Sequence, residues 1–196
     1  MFWGDIICAQ PELIKELPEE TVCLTWGYAA EQREHEAKVM AEAGARQYLC
    51  PGVGGWNQWM NLVENSYKNI ARMCGYARKY HAEGVLNTDW GDCGHINQPD
   101  FSLPGMIYGA VFSWGDDTDS FEELNEQISR LAYATGVENL FPIWQKPRNA
   151  PFSTGGMPMW FMRRKCSAIR IIETRCSTRE SRMRRSVRPL MKRLRH

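Results

Sequence analysis

The segment 84–95, GVLNTDWGDCGH, combines side chains that can hydrogen-bond or ionise with a backbone that can turn tightly. A short β-prone run leads to Trp90, which lies among the carboxylates of Asp89 and Asp92 and the imidazole of His95. Glycines at 91 and 94 allow sharp turns. We therefore expect a strand end that delivers polar groups to a pocket.

Tryptophan closes three other strand-like runs in the same way. The segments are Trp3-Gly4-Asp5, Trp26-Gly27-Tyr28, and Cys50-Pro51-Gly52 leading to Trp56. Indole rings can lie on the flat C–H faces of sugars, and burying on the order of 50 Å² at 25 cal/mol per Å² gives about 1 kcal/mol per stack. The pattern favours a sugar pocket whose carboxylates accept hydroxyl hydrogen bonds. Tryptophans that simply fill a core remain the alternative.

Asp89, Asp92, Cys93 and His95 could also be metal ligands. Their spacing, D-x-x-D-C-x-H, matches no standard zinc pattern, so we expect no metal and no organic cofactor. A Cys93–His95 nucleophile pair is less favoured still, because side chains two residues apart need not meet. We expect His95 to donate a hydrogen bond to a sugar or to a neighbouring loop.

Strand-like and helix-like segments alternate over residues 1–136. The predicted strands are the opening MFWGDIIC, residues 21–26, residues 46–50 and a run from Gly84. The first predicted helices are a short one from Pro11, one over 31–43 and one over the apolar repeat from Val63 to Ala77. Two more are predicted over 106–112 and from a Ser120–Glu123 capping box to Gly136. Such alternation implies parallel strands in an α/β fold. No nucleotide-binding glycine motif is present, and aromatic and acidic strand ends favour a barrel over an open sheet.

Composition indicates one globular domain of 196 residues, with 43% hydrophobic residues and eight tryptophans to build its core. No apolar run reaches the roughly 18 residues of a membrane span, and the N-terminus does not resemble a secretory signal. Seven cysteines without a C-x-x-C pair indicate reduced thiols and a cytoplasmic location.

The charge is divided unevenly along the chain. Residues 1–159 contain 11 Lys+Arg and 21 Asp+Glu, net −10, whereas residues 160–196 contain 13 and 2, net +11. We expect the segment 163–196 to be a disordered basic tail, because its cations repel one another and it lacks apolar periodicity. It could bind nucleic acid or an anionic membrane. An out-of-frame continuation is the interpretation we favour.

Four motifs occur in this order: MFWGDII, CLTWGY, YLCPGVGGWN and NTDWGDCGH. In order and spacing they resemble the barrel of glycoside hydrolase family 20, the β-N-acetylhexosaminidases, especially the hexosaminidase D-like branch. The resemblance covers about residues 1–136 and implies the C-terminal half of a (β/α)8 TIM barrel. In that family the last four strands enclose a terminal N-acetylhexosamine. The predicted substrate-binding residues are Trp3, Asp5, Trp26, Tyr28, Tyr48, Trp56, Trp90, Asp92 and His95.

The chain departs from the family in its acids. Trp90-Gly91-Asp92 carries a shorter acid than the family's Trp-x-Glu, and Tyr48-Leu49-Cys50 lacks the family's carboxylate. The adjacent Asp-Glu pair that performs the family's substrate-assisted, retaining hydrolysis does not occur in this sequence. We therefore expect a chain that begins within the fold, has no catalytic residue and is inactive alone.

The sequence thus predicts a half barrel over 1–136, a linker or barrel-closing extension over 137–162, and the tail. When complete, the protein is expected to be an exo-acting β-N-acetylhexosaminidase with a carbohydrate substrate and no membrane partner. A non-catalytic carbohydrate-binding fragment is the alternative, and a nucleic-acid partner is less favoured. Open barrel edges would favour self-association.

Overall fold

The computed structural model describes residues 1–56, 58, 60–92, 97–115, 119–133 and 140–143. These residues form a mixed α/β fold around a four-stranded sheet, in which every neighbouring pair of strands is parallel and the strands follow chain order. This confirms the predicted α/β class. The strands are β1 (Phe2–Trp3), β2 (Val22–Trp26), β3 (Arg46–Cys50) and β4 (Gly84–Val85).

Helical segments follow each strand, as the alternation predicts. The α-helices are α1 (His35–Glu42), α2 (Val63–Lys79), α3 (Leu103–Trp114) and α4 (Phe121–Leu131), and 3₁₀ helices span Ile7–Ala9, Pro11–Glu16 and Pro99–Ser102. The predicted capping box is present, because the Ser120 side chain accepts from the Glu123 amide and Glu123 accepts from the Ser120 amide. The predicted tail lies outside the described residues, as does Gly136.

Two segments differ from the sequence-based expectation. The opening segment is a two-residue strand followed by a turn and 3₁₀ helices, and Met1 is 75% exposed, so the prediction of one long buried strand is wrong. Helix α1 begins at His35 and not at residue 31. The preceding loop backbone at Ala29 and Ala30 is instead hydrogen-bonded to side chains of α2.

The helices cover one face of the sheet. Leu49 packs with Ala37 and Met73, and Cys23 packs with Met40, so α1 and α2 lie against β2 and β3. A larger cluster joins α2, α3 and α4 around Ile70, Tyr108 and Leu124. That cluster includes Phe141, which is 1% exposed, so part of the segment predicted as a linker or extension belongs to the core.

The other face of the sheet carries exposed apolar side chains. Side chains alternate between the two faces of a strand, so Trp26 lies on the face opposite Cys23, and Trp3 and Leu86 lie opposite neighbours that pack against the helical layer. Trp3, Trp26 and Leu86 are 38%, 40% and 42% exposed. Within the described ranges, no helix is long and apolar enough to cross a membrane.

A buried polar pair joins β2 and β3 to α1. Gln47 is 2% exposed; its Nε2 donates to the Ala37 carbonyl at 2.9 Å, and its Oε1 accepts from Thr25 Oγ1 at 3.0 Å. Buried polar groups are costly when they lose their partners. The pair therefore fixes the position of α1 over the sheet.

Replacing Gln47 with Leu should lower the free energy of unfolding by about 1–3 kcal/mol, because the buried Thr25 hydroxyl loses its acceptor. Urea denaturation followed by circular dichroism measures the change. The double variant Thr25→Val/Gln47→Leu should recover part of the loss, since both ends of the bond are then apolar. A double variant less stable than Gln47→Leu alone would contradict this assignment.

Candidate functional site

A cavity of about 370 Å³ opens at the carboxyl ends of the strands. Each of the four strands contributes to it through the residues at or just beyond its end. Parallel strands bring these ends to one edge of the sheet, so aromatic rings that are distant in sequence become neighbours. The lining residues are Trp3, Asp5, Trp26, Tyr28, Trp56, Trp90 and Asp92.

The aromatic rings of this cavity contact one another in two groups. Trp3 and Trp90 approach to 5.0 Å between centroids with their planes tilted by 52°. Tyr28 stacks on Trp26 at 5.2 Å and 19°, and meets Trp56 edge to face at 4.8 Å. Stacked and edge-to-face arrangements are favourable for aromatic pairs, so Trp26, Tyr28 and Trp56 hold one another in position.

A hydrogen bond joins the two aromatic groups. The Trp90 indole N–H donates to the Tyr28 hydroxyl oxygen at 2.7 Å. Burial raises the pKa of the Tyr28 phenol, against the opposing effect of its hydrogen bonds with Trp90 and Thr88. The phenol therefore remains protonated at neutral pH, and its polar end is anchored while its ring faces the cavity.

Gly52 allows two of the rings to approach the backbone. A Cβ atom at this position would lie 2.9 Å from both Trp56 Cη2 and Tyr28 Cδ1. The strand ladder also continues past the end of β4 here, because Thr88 donates its amide and its hydroxyl to the Pro51 carbonyl, and its own carbonyl accepts from Val53. Tyr28 and Trp56 therefore pack against a backbone that is hydrogen-bonded as in a regular parallel sheet.

Asn69 of α2 joins the loops that follow β2 and β3. It is fully buried; its Nδ2 donates to the carbonyls of Gly27 and Ala29, both at 2.9 Å, and its Oδ1 accepts the Gly52 amide at 3.1 Å. One side chain therefore fixes the backbone on both sides of Tyr28 and beneath Trp56. The position of the aromatic cluster depends on this residue.

A polar stripe on α2 extends this support along the loop after β2. Asn65 donates to the Tyr28 carbonyl and accepts from the Ala30 amide, both at 2.9 Å. Arg72 donates to the Ala30 carbonyl at 3.1 Å, and Tyr76 donates to the Gln32 carbonyl at 2.9 Å. The apolar face of this helix was predicted from the sequence, whereas its polar stripe was not. The missed signal was polar residues recurring every three or four positions beside that face.

The glycine-rich loop after β3 is held from further along the chain. The Val53 carbonyl accepts from Asn61 Nδ2 at 3.0 Å and from Ser66 Oγ at 2.7 Å. Asn97 Nδ2 donates to the Gly55 carbonyl at 3.0 Å and to Asn61 Oδ1 at 2.6 Å. Asn61 and Asn97 are buried, so their bonds specify the path of the loop that presents Trp56.

Asp5 and Asp92 provide the carboxylates of the cavity. Both are exposed at its rim, where they can accept hydrogen bonds from hydroxyl groups of a bound molecule. Over the described part of the chain, no three His, Cys, Asp or Glu side chains come together as a metal site. Aromatic walls with hydrogen-bond acceptors at the rim suit a ligand that has apolar faces and hydroxyl edges.

Seven of the nine predicted binding residues line this one cavity. Tyr48 is not among them. Its ring packs against Gly84 of the neighbouring strand β4, where a Cβ atom would be 2.7 Å from Tyr48 Cε1. Asp89 is exposed and does not line the cavity either. Cys93 and His95 lie outside the described residues.

Comparison with protein-family models finds no match to this chain. Comparison with curated proteins likewise finds no match.

Replacing Asn69 with Ala should lower the free energy of unfolding by about 2–4 kcal/mol, because it leaves the buried Gly27 carbonyl and Gly52 amide without their partner. Urea denaturation monitored by tryptophan fluorescence measures the change. Lys68→Ala is the matched control, since Lys68 adjoins Asn69 on α2 but is exposed and pairs with Glu64; it should cost less than about 1 kcal/mol. Equal losses would show that Asn69 is not a special support.

Proposed function

We propose that this chain binds a terminal N-acetylhexosamine in the aromatic cavity and supplies the sugar-holding part of a β-N-acetylhexosaminidase barrel. The observation that carries the proposal is the convergence of four tryptophans, Tyr28 and two carboxylates around one cavity. Aromatic rings take the C–H faces of a pyranose, and carboxylates accept from its hydroxyls. The motifs that resemble glycoside hydrolase family 20 contribute these same residues.

The topology supports assignment to half of a (β/α)8 barrel. Four parallel strands in chain order, with helices on one face and a cavity at their carboxyl ends, have the arrangement of four successive units of such a barrel. The opposite face exposes Trp3, Trp26 and Leu86, which a closed barrel would turn toward its interior. Strands β1 and β4 would then be the edges to which the other half attaches.

The same cavity limits what this chain would do alone. Its carboxylates, Asp5 and Asp92, follow the two edge strands, β1 and β4, and neither belongs to an adjacent Asp-Glu pair. Substrate-assisted hydrolysis needs one acid to orient the acetamido group and another to protonate the leaving oxygen. The second candidate function is therefore sugar binding without hydrolysis. Binding in the absence of turnover would show that this chain alone is not an active hydrolase.

Titration of the full chain with N-acetylglucosamine should shift the NMR resonance of the Trp90 indole N–H, which lies in the cavity wall. Trp26→Ala should weaken this binding roughly fivefold, because one stacking face of about 1 kcal/mol is lost. Trp114→Ala is the matched control, since Trp114 is 93% exposed at the end of α3 and does not line the cavity. Equal effects of the two substitutions would refute the assignment of the cavity.

The full chain should not hydrolyse an aryl β-N-acetylglucosaminide, because no adjacent Asp-Glu pair is present to orient the acetamido group and protonate the leaving oxygen. Release of the phenolate, followed by absorbance, is the measurement. Binding without release would support the proposal. Turnover that is lost in the Asp92→Asn variant would show instead that the chain has its own catalytic acid.

A further inference from the structure

Exposed apolar side chains lie at both edges of the sheet. At the first edge, Met1 precedes β1 and Ile6 follows it, and they are 75% and 83% exposed. At the other edge, exposed Leu86 follows β4, and exposed Leu103 and Met106 lie on α3, which packs over the backbone that continues β4. By contrast, the described helices α1 and α2 between these edges expose no large apolar residue. The apolar surface is therefore concentrated where the sheet is open.

The exposed side of α3 is apolar along the helix. Leu103, Met106 and Ala110 are exposed and lie at spacings of three and four, so they form one stripe. Gly109, which packs against Asn87 beyond β4, lies beside this stripe and places it at the edge of the sheet. Helix α3 contains no charged residue, whereas α1 and α2 expose ion pairs. The stripe therefore has the composition of a contact surface and differs from the solvent-facing sides of the other helices.

The edge strands themselves can accept further strands. Strand β1 pairs only with β2, and β4 pairs only with β3; both edge strands have two residues and run in the same direction. An open strand edge presents backbone donors and acceptors to another strand. Because both edges run the same way, β4 of one copy can pair in parallel with β1 of a second copy, which continues the strand order of the sheet.

Two copies related by a two-fold axis along the strands satisfy both edges at once. Strand β4 of each copy then meets β1 of the other, and eight parallel strands close into a barrel. In a right-handed crossover, the helix that follows a strand packs over that strand and the next, so α3 of one copy covers β1 of the other. The stripe on α3 then contacts the segment around Ile6 of the second copy.

The apolar area at the two edges is large enough for a stable pair. Taking roughly 200 Å² for a whole side chain of this size, the five large apolar residues at the edges expose about 550 Å² per copy. Two copies would bury about 1,100 Å² of apolar surface, and specific interfaces bury roughly 1,200–2,000 Å² in total, of which roughly 60% is apolar. The net charge of +1 also favours association, because a nearly neutral chain lacks the repulsion that keeps copies apart.

We propose that the two open edges bind a second copy of this chain and close a two-fold symmetric barrel of eight strands. The inference rests on the half-barrel topology of the proposed function, and it is independent of the ligand. Each copy brings its own aromatic cavity to one common mouth, because the carboxyl ends of all eight strands lie on the same side. The second copy also covers the sheet face on which Trp26 and Leu86 are exposed.

Sedimentation velocity of the full chain over a range of concentrations should show monomers and dimers and no larger species, because a closed ring leaves no free edge. The dimer should persist in high salt, since its contacts are apolar. A monomer at every concentration, open-ended oligomers, or a dimer that dissociates in high salt would each overturn the inference. A monomer that binds sugar would leave the proposed function standing, and a dimer that binds no sugar would overturn only the proposed function.

Ile6→Glu and Met106→Glu, one at each edge, should each weaken the dimer at least about tenfold, because each places a charge in an apolar contact. Leu131→Glu is the matched control, since Leu131 is 80% exposed at the end of α4 and belongs to neither edge; it should leave the dimer unchanged. Circular dichroism shows whether each variant is folded, and Leu103→Glu replaces Met106→Glu if the latter is not. Weakening by only one of the two edge variants, or equal weakening by Leu131→Glu, would overturn the pairing of β1 with β4.

Discussion

The structure depends on one buried amide. Asn69 is fully buried, and it bonds to the backbone of the loops after β2 and β3, which carry Tyr28 and Trp56. Three hydrogen bonds in a water-excluded place leave those loops little freedom, because any displacement would expose a carbonyl or amide to an apolar interior. The aromatic cavity is therefore determined by a helix that contributes no side chain to its surface.

The two faces of α2 have different roles. Its apolar residues, such as Ile70 and Cys74, build the core with α3 and α4, while Asn65, Asn69 and Tyr76 hold the loop after β2. Packing fixes the helix, and the helix then fixes the loop. A pocket built this way is largely formed before a ligand arrives, so binding spends little free energy on ordering loops.

The sequence predicted the fold class because the signals were local and periodic. The limits of β3, 46–50, were predicted correctly, and the start of α2 at Val63 follows from its apolar repeat. The aromatic residues that line the cavity could also be predicted, since parallel strands must bring their carboxyl ends to one edge of the sheet. The supporting asparagines were not, because their partners lie up to 42 residues away and are backbone atoms that no side-chain pattern reveals. The limits of β1 were missed because an apolar run looks the same in a strand and in a 3₁₀ turn.

Two walls of the cavity belong to the edges of the sheet. Trp3 lies in β1 and Trp90 lies beyond β4, and each of these strands has two residues and a single neighbouring strand. Short edge segments have fewer backbone partners than β2 and β3, so we expect them to open at a lower free energy than the core. A ligand that contacts both rings would bind only the closed edges, and its binding free energy would therefore also stabilise the two sides of the sheet.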